Sequence, residues 1–157
     1  MGLVEDEAAQ AIHQFYAALD QLLRGFGSHA MSEIWDHGSE VTTSHPFGDW
    51  ARGWGEVSAS WEETHAVFAL YKGHAARSDS VGKIDGLHVL VVGDMALATS
   101  VYKGTMYMSE GPLRLNVNCT NVARRIDGRW KIIHHHTDQA PPEWNAAIGA
   151  MVQRGHS

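Results

Sequence analysis

The sequence predicts an α+β domain in which three helices precede a long antiparallel meander. Three observations support this. Apolar residues recur at helical spacing between Ala8 and Phe68, and from Leu70 onward they alternate with polar ones. Two dipeptides, Gly93-Asp94 and Asp127-Gly128, then sit between alternating segments where two-residue hairpin turns belong. Helices that precede such a meander cover one face of its sheet.

The first helix is expected over about 5–24. Ala8, Ile12, Phe15, Leu19, Leu22, Leu23 and Phe26 share one face at the three-to-four spacing of a helix. Glu5, Asp6 and Glu7 lie in its first turn, where the helix dipole favours negative charge, and Gly25 and Gly27 end it. Ser28 is placed to cap a short second helix reaching Trp35. Val41-Thr42-Thr43 is β-prone and stops at His45-Pro46; the run from Phe47 to Gly53 is too rich in glycine for a helix. A third helix begins near Trp54, with Trp54, Val57, Trp61, Thr64, His65 and Phe68 on one face and Glu56 in the first turn. Strands are expected over 70–79, 84–92, 95–108, 113–126 and 129–137.

No repeat, low-complexity tract or linker divides the 157 residues, a length that suits one domain. The expectation is a single domain over 1–157, with a core at about 5–137 and a tail at 138–157. A chain this long buries roughly two-thirds of its unfolded surface and needs no disulfide or metal to fold. Net charge is -6 with 12 Lys+Arg and no basic stripe, which argues against a nucleic-acid partner. Cys119, the only cysteine, has no partner within the chain and points to a reducing compartment. No apolar run is long enough to span a bilayer and no charged-then-apolar leader follows Met1, so a cytoplasmic location without a membrane partner is expected.

The last hairpin can be read for register. With Asp127-Gly128 as the turn, Ala123 faces Ile132, Asn121 faces His134 and Cys119 faces His136. Leu115, Val117, Cys119, Asn121, Ala123, Trp130, Ile132, His134 and His136 then share a mainly apolar face, assigned to the inside. Asn116, Asn118, Thr120, Val122, Arg124, Lys131, Ile133, His135 and Thr137 share the outer one.

The helix order, His45-Pro46-Phe47-Gly48 before the third helix, and Asp127-Gly128-Arg129-Trp130 followed by His134-His135-His136 resemble the nuclear-transport-factor-2-like superfamily, in its SnoaL-like, ketosteroid-isomerase-like branch. The resemblance covers about 5–137. It implies a cone-shaped barrel: a strongly curved, mostly antiparallel sheet wrapped around three N-terminal helices, enclosing one small-molecule pocket. It also implies a homodimer formed through the sheet. Isomerases, dehydratases, epoxide hydrolases, cyclases and binding modules share this fold, so the fold does not name the function. The aspartate, tyrosine and protonated acid of ketosteroid isomerases have no matching trio in this sequence.

Candidate site residues follow from chemistry. On the assigned register His134 and His136 point inward together, where two imidazoles could act as acid and base near neutral pH. Otherwise they fill the polar end of the cavity by bonding Asn121 or backbone. His45 and Asp49 flank an irregular loop, where an Asp can orient a His for proton transfer or satisfy a turn instead. Trp50, Trp54, Trp130, Tyr16, Asn121 and Cys119 are the candidate ligand contacts; core packing is the competing role for the aromatic residues and for Cys119. His134, His136 and His45 could hold zinc, but the sequence has no Cys pair and no His-Glu-x-x-His, so neither a metal nor another cofactor is expected. Two functions remain open. One is a cofactor-independent isomerase, dehydratase or cyclase acting by proton transfer on a small, largely apolar substrate. The other is a non-catalytic module binding a small hydrophobic ligand.

Overall fold

In the computed structural model, which describes residues 2–46, 48–69, 82–108 and 111–139 together with 142, 143, 146, 149, 150 and 153, the N-terminal amphipathic segment forms α1, Leu3–Leu23. Its buried stripe includes Ala8, Ile12, Phe15, Tyr16, Leu19 and Leu22, and Glu5 and Asp6 occupy its first turn. Phe26, expected on that stripe, lies beyond the helix end and is exposed beneath the Arg24 guanidinium. Gly25 ends the helix at a φ of +79°, and a Cβ there would meet the Ala69 Cα at 3.2 Å. Glycine therefore serves both the left-handed turn and the close passage of the third helix.

Helix α2, His29–Ile34, is short. Ser28 precedes it without capping it through its side chain; the hydroxyl donates instead to Glu62. Helix α3, Gly53–Ala69, buries Val57, Trp61, Thr64 and Phe68, as its spacing predicts. The strands are β1, Thr42–Ser44; β2, Ala51–Arg52; β3, Gly82–Val92; β4, Met95–Met108; β5, Gly111–Ile126; and β6, Arg129–Thr137. The strand expected over 70–79 falls outside the described residues. Strand β2, by contrast, lies inside the stretch read only as a glycine-rich turn.

One sheet joins all six in the order β2-β1-β6-β5-β4-β3, with β1 parallel to β6 and the other neighbours antiparallel. The sheet is curled and does not close, and the helices fill its inner face. Phe15 stands at the centre of the packing, edge-on to Tyr16, Trp35 and Trp61. Among the described residues no helix is long and apolar enough to cross a membrane.

The β5–β6 hairpin corrects the sequence register. Near the Asp127-Gly128 turn the expected pairing holds: Ala123 faces Ile132, and Trp130 and Ile132 are buried. One residue further on, the register shifts, so that Val122 faces His134, Asn121 faces His135 and Cys119 faces Thr137. Ile133 is the extra residue of this bulge. From that point His135 and Thr137 point inward, both buried, while His134 and His136 lie on the outer face. Lys131 stays on the outside and donates to the Glu33 carbonyl. The cause is a matter of desolvation. Unbroken alternation would bury two imidazoles, whereas the bulge buries one and packs Ile133 against the core.

Tyr102 on β4 is seated between two glycines. A Cβ on Gly82 would lie 2.5 Å from the Tyr102 hydroxyl oxygen and 2.6 Å from the Lys103 carbonyl, and a Cβ on Gly104 would meet the same ring at 3.0 Å. Gly82→Ala should therefore lower stability by about 1–3 kcal/mol through overpacking. Urea unfolding checks this; an unchanged midpoint would mean that Tyr102 moves aside freely.

Candidate functional site

Behind α1 lies a chain of buried polar groups. The Tyr16 hydroxyl donates to Asn121 Oδ1 at 2.8 Å, and Asn121 Nδ2 contacts His135 Nδ1 at 3.1 Å. Because the amide oxygen is occupied as an acceptor, the amide nitrogen faces His135 as a donor. Nδ1 must then accept, so the imidazole is neutral and carries its proton on Nε2. The ring packs 4.6 Å from Phe15 and 6.0 Å from Trp61, centroid to centroid. Burial holds the His135 pKa well below its ordinary value, with the nearby His45, His134 and His136 acting in the same direction. The same desolvation pushes the hydroxyls of Tyr16 and Tyr102 and the Cys119 thiol upward, so all three stay protonated.

A cavity of about 30 Å³ is bounded by Tyr16, Tyr102, His135, Thr137, Cys119 and His45. Such a volume admits about one or two waters rather than a substrate. Among the described residues the hydroxyls of Tyr102 and Thr137 are buried without a hydrogen-bond partner.

On the far side of His45 lies a larger groove of about 550 Å³, between α3 and the loop that follows Pro46. His45, Asp49, Trp50, Glu56, Glu63 and Thr64 line it. His45 and Thr64 are common to both spaces and form the wall between them. The Thr64 hydroxyl donates to the Ser60 carbonyl at 2.9 Å, so towards His45 Nε2, 3.5 Å away, it can only accept. The other ring nitrogen of His45, Nδ1, is itself buried. Gly48 packs against the same ring, where a Cβ would come within 3.2 Å. Burial lowers the His45 pKa to about 4, so the ring is neutral at physiological pH.

The expected site residues thus separate into distinct places. Tyr16, Asn121 and Cys119 belong to the buried cluster, while His45, Asp49 and Trp50 meet at the groove. His134 and His136 face outward beneath Trp50, whose ring stacks at 5.8 and 5.2 Å from theirs. Trp54 stacks on His37 at 4.0 Å, outside both spaces. Trp130 is buried near the Asp127-Gly128 turn under the Arg125 guanidinium. Sequence reasoning missed His135, Thr137, Tyr102 and Thr64. Of these, Thr64 was legible as a polar residue on the buried face of α3. Among the described residues no three His, Cys, Asp or Glu side chains come together as a ligand set for a metal.

The SnoaL-like domain family matches residues 9–140 of the chain. The protein belongs to that family. No curated protein matches it. Solved structures place it in the nuclear-transport-factor-2-like fold. A candidate dehydratase of the NTF2-like family from Streptomyces avermitilis is 23% identical, with a TM-score of 0.64 over 86% of this chain and 94% of that one. A candidate ketosteroid isomerase from Shewanella frigidimarina is 20% identical, with a TM-score of 0.62 over 84% and 94%. The CaMKII hub of S. rosetta is 17% identical, with a TM-score of 0.63 over 90% and 98%. At these identities the likeness establishes the fold of this SnoaL-like protein and leaves its chemistry to its own residues.

The two neutral buried histidines make stability depend on pH. An unfolded histidine binds its proton near 6.5, whereas folded His45 does so only near 4. Between those values the unfolded chain holds more protons, so stability is full above about 6.5 and falls as pH drops towards about 4. His45 alone should contribute a loss of about 3 kcal/mol across that window, and His135 adds to it with the same sign. Urea midpoints at several pH values check this. The fall should be shallower in His45→Gln, and an identical fall in that variant would refute the assignment.

Proposed function

We propose that this protein is a single-domain, cytoplasmic SnoaL-like pocket protein that performs cofactor-independent proton transfer on a small, largely apolar substrate, as isomerases, dehydratases and cyclases do. The observation that carries this reading is His45, a neutral buried imidazole in the wall of a groove with the volume of a small-molecule site. Asp49 supplies a carboxylate at the same groove and Trp50 an apolar wall. The Tyr16–Asn121–His135 chain lies behind His45 as an uncharged polar backing. The inner acid/base role read for His134 and His136 passes to His45, because the bulge turns the other two outward.

The test is exchange with solvent. Thermal-shift screening of small carbonyl and hydroxyl compounds identifies binders, and NMR in D2O then follows deuterium entering them. Wild type should catalyse that exchange, and His45→Gln should slow it about 100-fold while changing affinity much less. Binding with no catalysed exchange would support the second reading, a module for a small hydrophobic ligand. The mutual satisfaction of Tyr16, Asn121 and His135 favours that reading to the extent that it leaves them no partner to seek.

We also propose a homodimer through the outer sheet face. Leu90, Leu97 and Met95 are exposed there on β3 and β4, with half-buried Val122 alongside. His135, expected on this face, lies inside instead, and Ile133 packs at the core edge. An isologous contact would cover the apolar row. Light scattering at micromolar concentration should give twice the chain mass, and Leu97→Glu should give a monomer; a monomeric wild type would remove the proposal.

A further inference from the structure

The outer face of β6 carries a side-chain cluster that the pocket does not use. His134 and His136, two residues apart, project from the same face of the strand, with ring centroids 6.4 Å apart and planes inclined by 46°. The Thr42 hydroxyl, from β1, lies 2.7 Å from His134 Nδ1. This contact fixes the ring and leaves Nε2 as its available nitrogen. Trp50 stacks on the faces of both imidazoles and is itself 45% exposed. Both histidines are half-buried, so a small solute can reach them.

We propose that His134 and His136 form a two-imidazole binding site for a divalent first-row cation of the zinc, nickel or copper type. Two imidazoles that share one cation at nitrogen–metal distances of about 2.1 Å have ring centroids roughly 4.5–5.2 Å apart at octahedral or tetrahedral angles. From the observed 6.4 Å the rings must approach by about 1 Å on binding, which side-chain rotation supplies. Imidazole nitrogen suits these cations better than magnesium or calcium, which take oxygen ligands. Thr42 plays the part of an outer partner that orients a ligating histidine through its other nitrogen. Solvent completes the coordination, since no carboxylate or thiolate joins the pair among the described residues. Trp50 borders both places, since it covers the two imidazoles and lines the groove, but His45 is no ligand of this site. His134 and His136 take no part in the proton transfer proposed above, so a failure here leaves that reading untouched.

The experiment is calorimetric titration of the full chain, first freed of metal with a chelator, with Zn2+ and with Ni2+ at pH 7.5. Wild type should bind one cation per chain at micromolar concentrations. His134→Ala and His136→Ala should each weaken binding roughly a hundredfold, because each removes one arm of a chelate. Thr42→Val should weaken it about tenfold with both ligands in place. His88→Ala, which alters an exposed histidine on β3, should bind like wild type. Far-ultraviolet circular dichroism confirms that the variants fold. Absence of binding up to millimolar cation would overturn the proposal. So would equal affinity in wild type, His134→Ala and His136→Ala, which would place the cation at other surface histidines.

Discussion

An imidazole removed from water among Phe15, Trp61 and Tyr16 must either give up its charge or destabilise the packing around it. His135 is in that position, and the interior is built to keep it neutral. Asn121 faces Nδ1 as a hydrogen-bond donor, a contact that an imidazolium could not accept. Tyr16 occupies the amide oxygen, so the Asn121 side chain is held in one orientation. Helix α1, strand β5 and strand β6 each contribute one member of this chain. The docking of the helix and the register of the hairpin are thereby tied to the same three side chains.

The bulge at Ile133 follows from this constraint. It lets an apolar face continue from Trp130 and Ile132 to His135 and Thr137 while sending two further histidines outward. Strand β1 then pairs alongside β6, Thr42 opposite His134 and Ser44 opposite His136, and delivers His45 to the wall of the groove. A local register shift therefore decides which imidazoles meet the pocket and which meet solvent. His45 and His135 are close enough that charge on the first disfavours charge on the second. The two spaces they border are coupled electrostatically even though protein fills the wall between them.

Much of the fold was legible because it depends on periodicity. The stripe of α1, the buried face of α3, the long β4 and both hairpin turns all follow from spacing and turn chemistry. The site was less legible, for identifiable reasons. Alternation reads two residues per repeat, and one extra residue at Ile133 inverts everything after it, with no proline or glycine to announce the change. His45, Asp49 and Trp50 could be nominated from their loop, and Tyr16 and Asn121 from their faces. His135 and Thr137 were placed on the outer face instead. Strand β2 is two residues long, too short to carry an alternation signal. Tyr102 had no marker except its flanking glycine at 104, which shows its purpose only once Gly82 lies across from it.

His135 is held as a neutral imidazole, protonated on Nε2, by the Tyr16–Asn121 pair. Nitrogen-15 NMR of the histidine rings tests it most directly. At pH 7 His135 should show a protonated Nε2 and an unprotonated Nδ1, and the ring should not titrate until the chain unfolds in acid. A protonated Nδ1, or a titration near the ordinary histidine value in the folded protein, would contradict it.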